Sequence, residues 1–263
     1  MKRTLLLLAT AGLLVLAGCH GATHEDPILK LSAEESLAQG KELLAKEKYD
    51  KARPYFTHAF EVEPNSTVGR EALLLAADTF YLQGGTTNYV QAEAKYRDFL
   101  NRFPTSDQAA YVQFQIANSL AKRMEKPDRD QNVTRKAMES YQELIRLYPT
   151  SEYAAQSQEQ VKAVVDNLAE HELNIGLFYL RYGAPVAAVQ RFDFLLRTYP
   201  SYRSRDKAIY NLGLAYARVN QPAEARKAFD RLRTEFPQSP LVHNIPEIKA
   251  GPNTPAEAPK AGK

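Results

Sequence analysis

The side chains of this chain best suited to ligate a metal or to act as a base or nucleophile are a single cysteine, Cys19, and five histidines. His20 and His24 stand beside Glu25 and Asp26, a ligand-rich run. That run lies in a segment of mixed charge with no apolar period, and a mobile segment cannot hold ligands in a coordination geometry. It reads as a solvated linker. His58 sits beside Phe56 and Ala59, His171 lies between Glu170 and Glu172, and both read as solvated or half-buried structural histidines. His243 is near the C-terminal end. No glycine-rich phosphate loop, nucleophile elbow, HExxH motif or cysteine pair occurs. The carboxylates are scattered along helix surfaces, with no pair placed across a cleft. The expectation is a chain that is not an enzyme and holds neither cofactor nor metal. Thirty-four basic residues against 31 acidic ones, a net charge of +3, supply no global field for nucleic acid.

Cys19 remains, and its surroundings assign it a different chemistry. Lys2 and Arg3 form a positive start, and Leu5 to Leu16 form an apolar stretch too short to span a bilayer, which together read as an export signal. The signal ends in Leu16-Ala17-Gly18-Cys19, which resembles the lipobox of bacterial lipoproteins, where the cysteine sulfur receives a diacylglycerol. The competing reading is a free thiol after a signal cut elsewhere. As the sole cysteine, Cys19 excludes a disulfide within the chain. Acyl chains anchor by roughly 0.8 kcal/mol per buried methylene, so the mature protein is expected to be membrane-anchored and not membrane-spanning. In such lipoproteins an Asp after the cysteine signals inner-membrane retention. His20 in that place implies the outer membrane, with the body facing the periplasm. The expected division is 1–18 signal peptide and 19–31 tether.

What stands beyond the tether is a repeat. Five prolines, Pro64, Pro104, Pro149, Pro200 and Pro237, share one upstream pattern. Twelve residues before them stand Ala52, Ala92, Ala137, Ala188 and Ala225; eight before, Phe56, Tyr96, Tyr141, Phe192 and Phe229; five before, Ala59, Phe99, Leu144, Leu195 and Leu232. Offsets of this kind place a small, an aromatic and an apolar residue on one stripe of an α-helix that the proline then ends. Each such helix is the second of a pair. The first helices carry a small residue for close approach: Gly40, Ala76 or Ala77, Ala117, Gly176 and Gly213. Thr105-Ser106, Thr150-Ser151, Ser201 and Ser239 follow the later prolines and are expected to cap the next helix. No single pair can bury its stripe, so the pairs must stack. The fold class is therefore all-α, a right-handed α-solenoid of about five helix pairs.

This pattern resembles the tetratricopeptide repeat. The proline spacings of 40, 45, 51 and 37 show every later unit expanded beyond the usual length. The extra residues fall at the Gly84 to Asn88 turn, a charged loop near Arg123 to Gln131, and a long first helix from about Glu152 to Tyr182. From Ala250 the chain is rich in Gly, Pro, Ala and Lys, and 246–263 read as a disordered tail.

One stretch is more specific. The segments Asp128-Arg129-Asp130, Leu147 to Tyr153, Leu168 to Glu172, Arg181-Tyr182-Gly183-Ala184, Val186 to Arg191 and Leu195 to Pro200 resemble the BamD family of outer-membrane β-barrel assembly lipoproteins. The resemblance implies a non-catalytic scaffold that recruits outer-membrane barrel proteins and helps insert them. It implies two partners: the central barrel subunit of the machinery, met through its periplasmic domains, and unfolded barrel precursors. Repeats in 32–149 would receive substrate and those in 150–245 would dock to the barrel subunit. Arg191, in the family's Ala-Val-x-Arg pattern, is implied as a docking contact, though a surface arginine lying along its helix fits equally. A pilotin-like or cell-division repeat lipoprotein, binding a secretin or a peptidoglycan-associated partner, shares the anchor and the stack. A peptidoglycan enzyme on a helical superhelix would need a catalytic domain for which no residues remain.

First helices line the inner surface of such a stack. By repeat phase Lys41, Phe80, Tyr81, Tyr111, Phe114 and Lys122 are expected to face it, the aromatics to receive the terminal aromatic of a barrel strand and a lysine to receive its carboxylate. Packing between helices accounts for Phe80, Tyr81 and Phe114 as well.

Overall fold

The computed structural model describes residues 26–248, so Cys19, His20, His24 and Glu25 lie outside the described residues, as do the export signal and most of the C-terminal tail. Regular structure among the described residues is helical throughout. Ten α-helices form five pairs: α1 (Ala33–Ala45) with α2 (Tyr49–Val62), α3 (Thr67–Gln83) with α4 (Thr86–Arg102), and α5 (Ala109–Ala121) with α6 (Asn132–Leu147). They continue with α7 (Glu152–Arg181) and α8 (Pro185–Thr198), then α9 (Arg205–Arg218) and α10 (Pro222–Glu235). Single 3-10 turns at Pro27–Lys30 and Pro240–Asn244 flank the stack. Each helix packs on its neighbours in the chain, and first helices also touch across units, α1 on α3, α5 on α7 and α7 on α9. Packing dominated by adjacent units is that of a solenoid.

The three-residue stripe carries the packing. All fifteen of its residues, from Ala52 to Leu232, are at most 1% exposed. Each repeat proline stands two residues beyond the last residue of its helix, where a missing N–H costs nothing to that helix.

The small residue and the aromatic are matched within each unit. Where the first helix has glycine, the second has phenylalanine, and the fit leaves no room: a Cβ on Gly40 would lie 2.5 Å from Phe56, on Gly176 2.3 Å from Phe192, and on Gly213 2.6 Å from Phe229. Where the first helix has alanine, Ala77 or Ala117, the aromatic is tyrosine. The hydroxyls of Tyr96 and Tyr141 then reach Asp78 at 2.6 Å and Asn118 at 2.7 Å, the residues next to those alanines. A ring can press on the backbone of a glycine. With a methyl in the way it instead carries its polar end to a partner.

The junctions follow the expected logic in part. Ser151 caps α7 at the amide of Tyr153, and Ser239 caps the last 3-10 turn. Ser106 bonds the amide of Gln108 one turn too early, and Ser201 gives way to Ser204, which makes no side-chain cap. Two further caps complete the set: Ser66, two residues after the repeat proline Pro64, accepts from the amide of Gly69 at the start of α3, and Ser32, which follows no repeat proline, closes a capping box with Glu35 on α1.

The expanded third unit is held by the long helix of the fourth. Asn167 donates to the carbonyl of Glu125 at 3.0 Å, and Nδ1 of His171 lies 2.7 Å from the carbonyl of Pro127. Gln131 closes the same loop from its far end by donating to the carbonyls of Lys126 and Arg129. His58 plays a similar part near the N-terminus, its Nε2 lying 3.1 Å from the carbonyl of Leu31.

Candidate functional site

Two faces of α3 lead to two different surfaces. Leu73, Ala76 and Phe80 look toward α2 and α4 and line a pocket of about 320 Å3 with Arg53, Phe60 and Arg102. Arg70, Glu71, Leu74, Leu75 and Asp78 look the other way, toward successive first helices, and line a larger cavity, about 570 Å3. Its opposite wall is Tyr111 from α5 and Tyr153 from α7, whose ring centroids are 5.7 Å apart. Phe99 from the second helix α4 forms part of the lining, and Ser106, Asp107 and Gln108 form part of the rim. A cavity of this size between first helices, with leucine and aromatic side chains set among charged and polar groups, suits an inserted side chain or a short peptide.

A continuous ladder of hydrogen bonds runs behind the cavity. Tyr96 and Tyr111 both donate to Oδ1 of Asp78, at 2.6 and 2.8 Å. Gln115 donates to the Tyr111 hydroxyl at 3.0 Å, Asn118 to the Gln115 carbonyl at 2.8 Å, and Tyr141 to Asn118 at 2.7 Å. The ladder ties the second helices of units two and three together through α3 and α5, and fixes the rotamers of the cavity's polar groups. Burial pushes the Asp78 carboxyl above its ordinary range and outweighs the two tyrosine bonds that favour its charge. Burial likewise raises Tyr96, Tyr111 and Tyr141 well above the usual phenol range.

Of the six groove residues expected from repeat phase, Tyr111 lines the cavity and Phe114 backs it, with its ring 5.4 Å from Tyr153 and 6.2 Å from Tyr141. Lys41 stands at its margin, paired to the cavity residue Glu71 at 2.7 Å. Its charge is therefore already partnered. Phe80 requires a correction, since it belongs to the opposite face, under the guanidinium of Arg53 at 3.9 Å. The expectation placed it by repeat phase alone, and the stripe 73, 76, 80 turns toward the second helices. Tyr81 is half-buried against Tyr89, with ring centroids 5.7 Å apart, and Lys122 is exposed at the C-terminal cap of α5; neither lines the cavity. Reading from the sequence missed Arg70, Asp78 and Tyr153. A signal for Asp78 existed in the polar residue after Ala77, opposite a repeat tyrosine in place of phenylalanine.

Arg191 lies on α8 and its Nη1 meets Oε2 of Glu172 on α7 at 3.2 Å, with Glu172 nearly enclosed and Arg191 at 43% side-chain exposure. At the α7–α8 turn Phe178, Tyr182 and Val186 are large apolar side chains left in solvent, and the first two stack at 4.5 Å. Among the described residues no group of His, Cys, Asp and Glu is placed to hold a metal ion, and no helix is long and apolar enough to cross a membrane.

Comparison with known proteins bears on residues 30–232, which match the family model YfiO, described as an outer membrane lipoprotein. The outer membrane protein assembly factor BamD of Rickettsia prowazekii is 30% identical over 211 residues, covering 80% of this chain and 82% of its own. That of Neisseria meningitidis serogroup A is 25% identical over 252 residues, covering 92% of this chain and 94% of its own. Among solved structures, the TPR2AB-domain:pHSP90-complex of yeast Sti1 aligns at 17% identity with a TM-score of 0.42, covering 78% of each chain. The family match takes in α1 through most of α10, the whole stack of repeats that builds the cavity, and the chain belongs to the YfiO/BamD family of outer membrane lipoproteins.

Proposed function

We propose that this protein is a non-catalytic scaffold of β-barrel assembly, held to the outer membrane by lipid on Cys19 and facing the periplasm. It recruits unfolded barrel precursors and presents them to a central barrel subunit. The observation that carries this reading is the aromatic cavity on the first-helix face of units two and three, in a chain whose relatives are named outer membrane protein assembly factors. Tyr111 and Phe114 offer aromatic surface to a barrel segment. The division of labour follows the chain: 32–149 receive substrate, with Tyr153 at the start of α7 completing the cavity wall, and 150–245 dock.

For docking, Arg191 on α8 and the exposed Phe178, Tyr182 and Val186 around the α7–α8 turn of the same helix pair offer cationic and apolar contacts of the kind that anchor protein interfaces. The Arg191–Glu172 pair orients the guanidinium so that its exposed edge remains free for a partner carboxylate.

The test is depletion of the protein in its own host, with outer-membrane barrel proteins then quantified. A general fall in folded barrels, with precursors accumulating in the periplasm, is expected. Unchanged barrel levels with loss of a single secretin would overturn the assignment in favour of a pilotin-like role.

A further inference from the structure

The cavity between units two and three holds two opposite charges that the protein leaves unspent. Arg70 lines one end, and its guanidinium makes no ion pair among the described residues; its ring contact, Phe103, is 5.9 Å away. Asp78 lines the other end. Both tyrosine hydroxyls fall on its Oδ1, so Oδ2 takes no hydrogen bond from the described residues. The remaining carboxylates do not compete on equal terms: Glu71 is paired to Lys41, and Asp107 sits exposed on the rim. An exposed charge is screened by water, whereas a partly buried one acts at lower effective dielectric. On the opposite wall stand the rings of Tyr111 and Tyr153, which favour an aromatic or a cation over their faces.

Arg70 and Asp78 are eight residues apart on α3, about 12 Å along the helix. An extended chain covers that span in about three or four residues. Resting on the reading of the groove given above, we infer that the cavity selects among barrel segments for those with a basic side chain about three or four residues before a free terminal carboxylate. Arg70 takes the carboxylate and Asp78 takes the cation. The groove thus reads both the direction of the bound chain and one of its side chains. A neutral donor would satisfy Oδ2 but leave the buried negative charge uncompensated, so lysine or arginine is preferred over glutamine, and glutamate is rejected.

Full-length protein in detergent micelles, titrated into fluorescently labelled ten-residue peptides ending in phenylalanine, tests this by anisotropy. The fourth position from the end is lysine, glutamine or glutamate, and a further lysine peptide has an amidated end. The lysine peptide should bind more tightly than the glutamate peptide by on the order of tenfold or more, the size of one close charge pair. Asp78→Asn should erase that ranking while the acids of the rim stay in place. Amidation should weaken binding to the native protein and leave Arg70→Gln unaffected. Equal binding of all three side chains to the native protein overturns the inference and leaves the groove reading standing, and that comparison requires no variant. Absence of binding by any of the peptides overturns the groove reading itself.

Discussion

Replacing Gly176 by alanine tests the packing rule on which the stack is built. In an exposed helix interior this change stabilises by about 1 kcal/mol, because alanine has less backbone freedom to lose. Here the new Cβ would lie 2.3, 2.7 and 2.8 Å from three ring atoms of Phe192, a side chain with no solvent exposure and no room to retreat. Overpacking a well-filled core costs about 1–3 kcal/mol, and three contacts this close place the site at the upper end of that range. Net of the propensity gain, Gly176→Ala should destabilise by about 1–2 kcal/mol. Urea unfolding of the full-length protein followed by far-ultraviolet circular dichroism measures it, with hydrogen exchange at α7 and α8 amides showing that the loss is local. In a Phe192→Leu background the obstructing ring is gone, and the same glycine change should turn favourable. A stabilising Gly176→Ala in the native background would refute the claim that ring and glycine backbone form the contact that spaces the pair.

Further predictions follow from the ladder, the loop and the turn. Asp78 has a folded pKa above its unfolded one, so its charge costs stability at pH above both values, and that cost fades as the pH falls through the folded pKa. Asp78→Asn, which keeps an acceptor for both tyrosines, should therefore raise the midpoint of thermal unfolding at pH 7, with the advantage shrinking under acid conditions; a lowered midpoint at pH 7 contradicts this. His171→Ala removes the bond to the carbonyl of Pro127 and should raise hydrogen exchange over residues 125–131 without changing α9 or α10. Arg191→Glu sets a second carboxylate against the nearly enclosed Glu172 and should weaken co-purification of the barrel subunit at least tenfold, with little change in peptide binding to units two and three. Ser66→Ala removes the cap at the amide of Gly69 and should cost about 1 kcal/mol in urea unfolding.

The repeat core was legible because its signals are local and repeated. Proline ends a helix wherever it stands, and an alanine, an aromatic and an apolar residue spaced along one helix must share a face, so the buried stripe and the long α7 could be read without tertiary information. The groove was less legible because phase identifies a stripe without saying which surface it meets. Phe80 and Asp78 are two residues apart and look to opposite sides of α3. Partners drawn from other units leave no trace in local spacing: Lys41 is neutralised from α3, and His171 holds a carbonyl of the preceding unit. The serines after the prolines show a third limit, since the turn ahead of α5 adds residues and moves Ser106 out of capping position.

The most direct measurement places a photo-crosslinking amino acid at Tyr111 in the living cell, with a second strain carrying it at Lys95, on the pocket that faces the second helices. Adducts identified by mass spectrometry should contain C-terminal segments of outer-membrane barrel proteins from position 111 and lack them from position 95. Barrel adducts from position 95 alone, or from neither position while barrel assembly proceeds, would contradict a scaffold that receives its substrates in the cavity between units two and three.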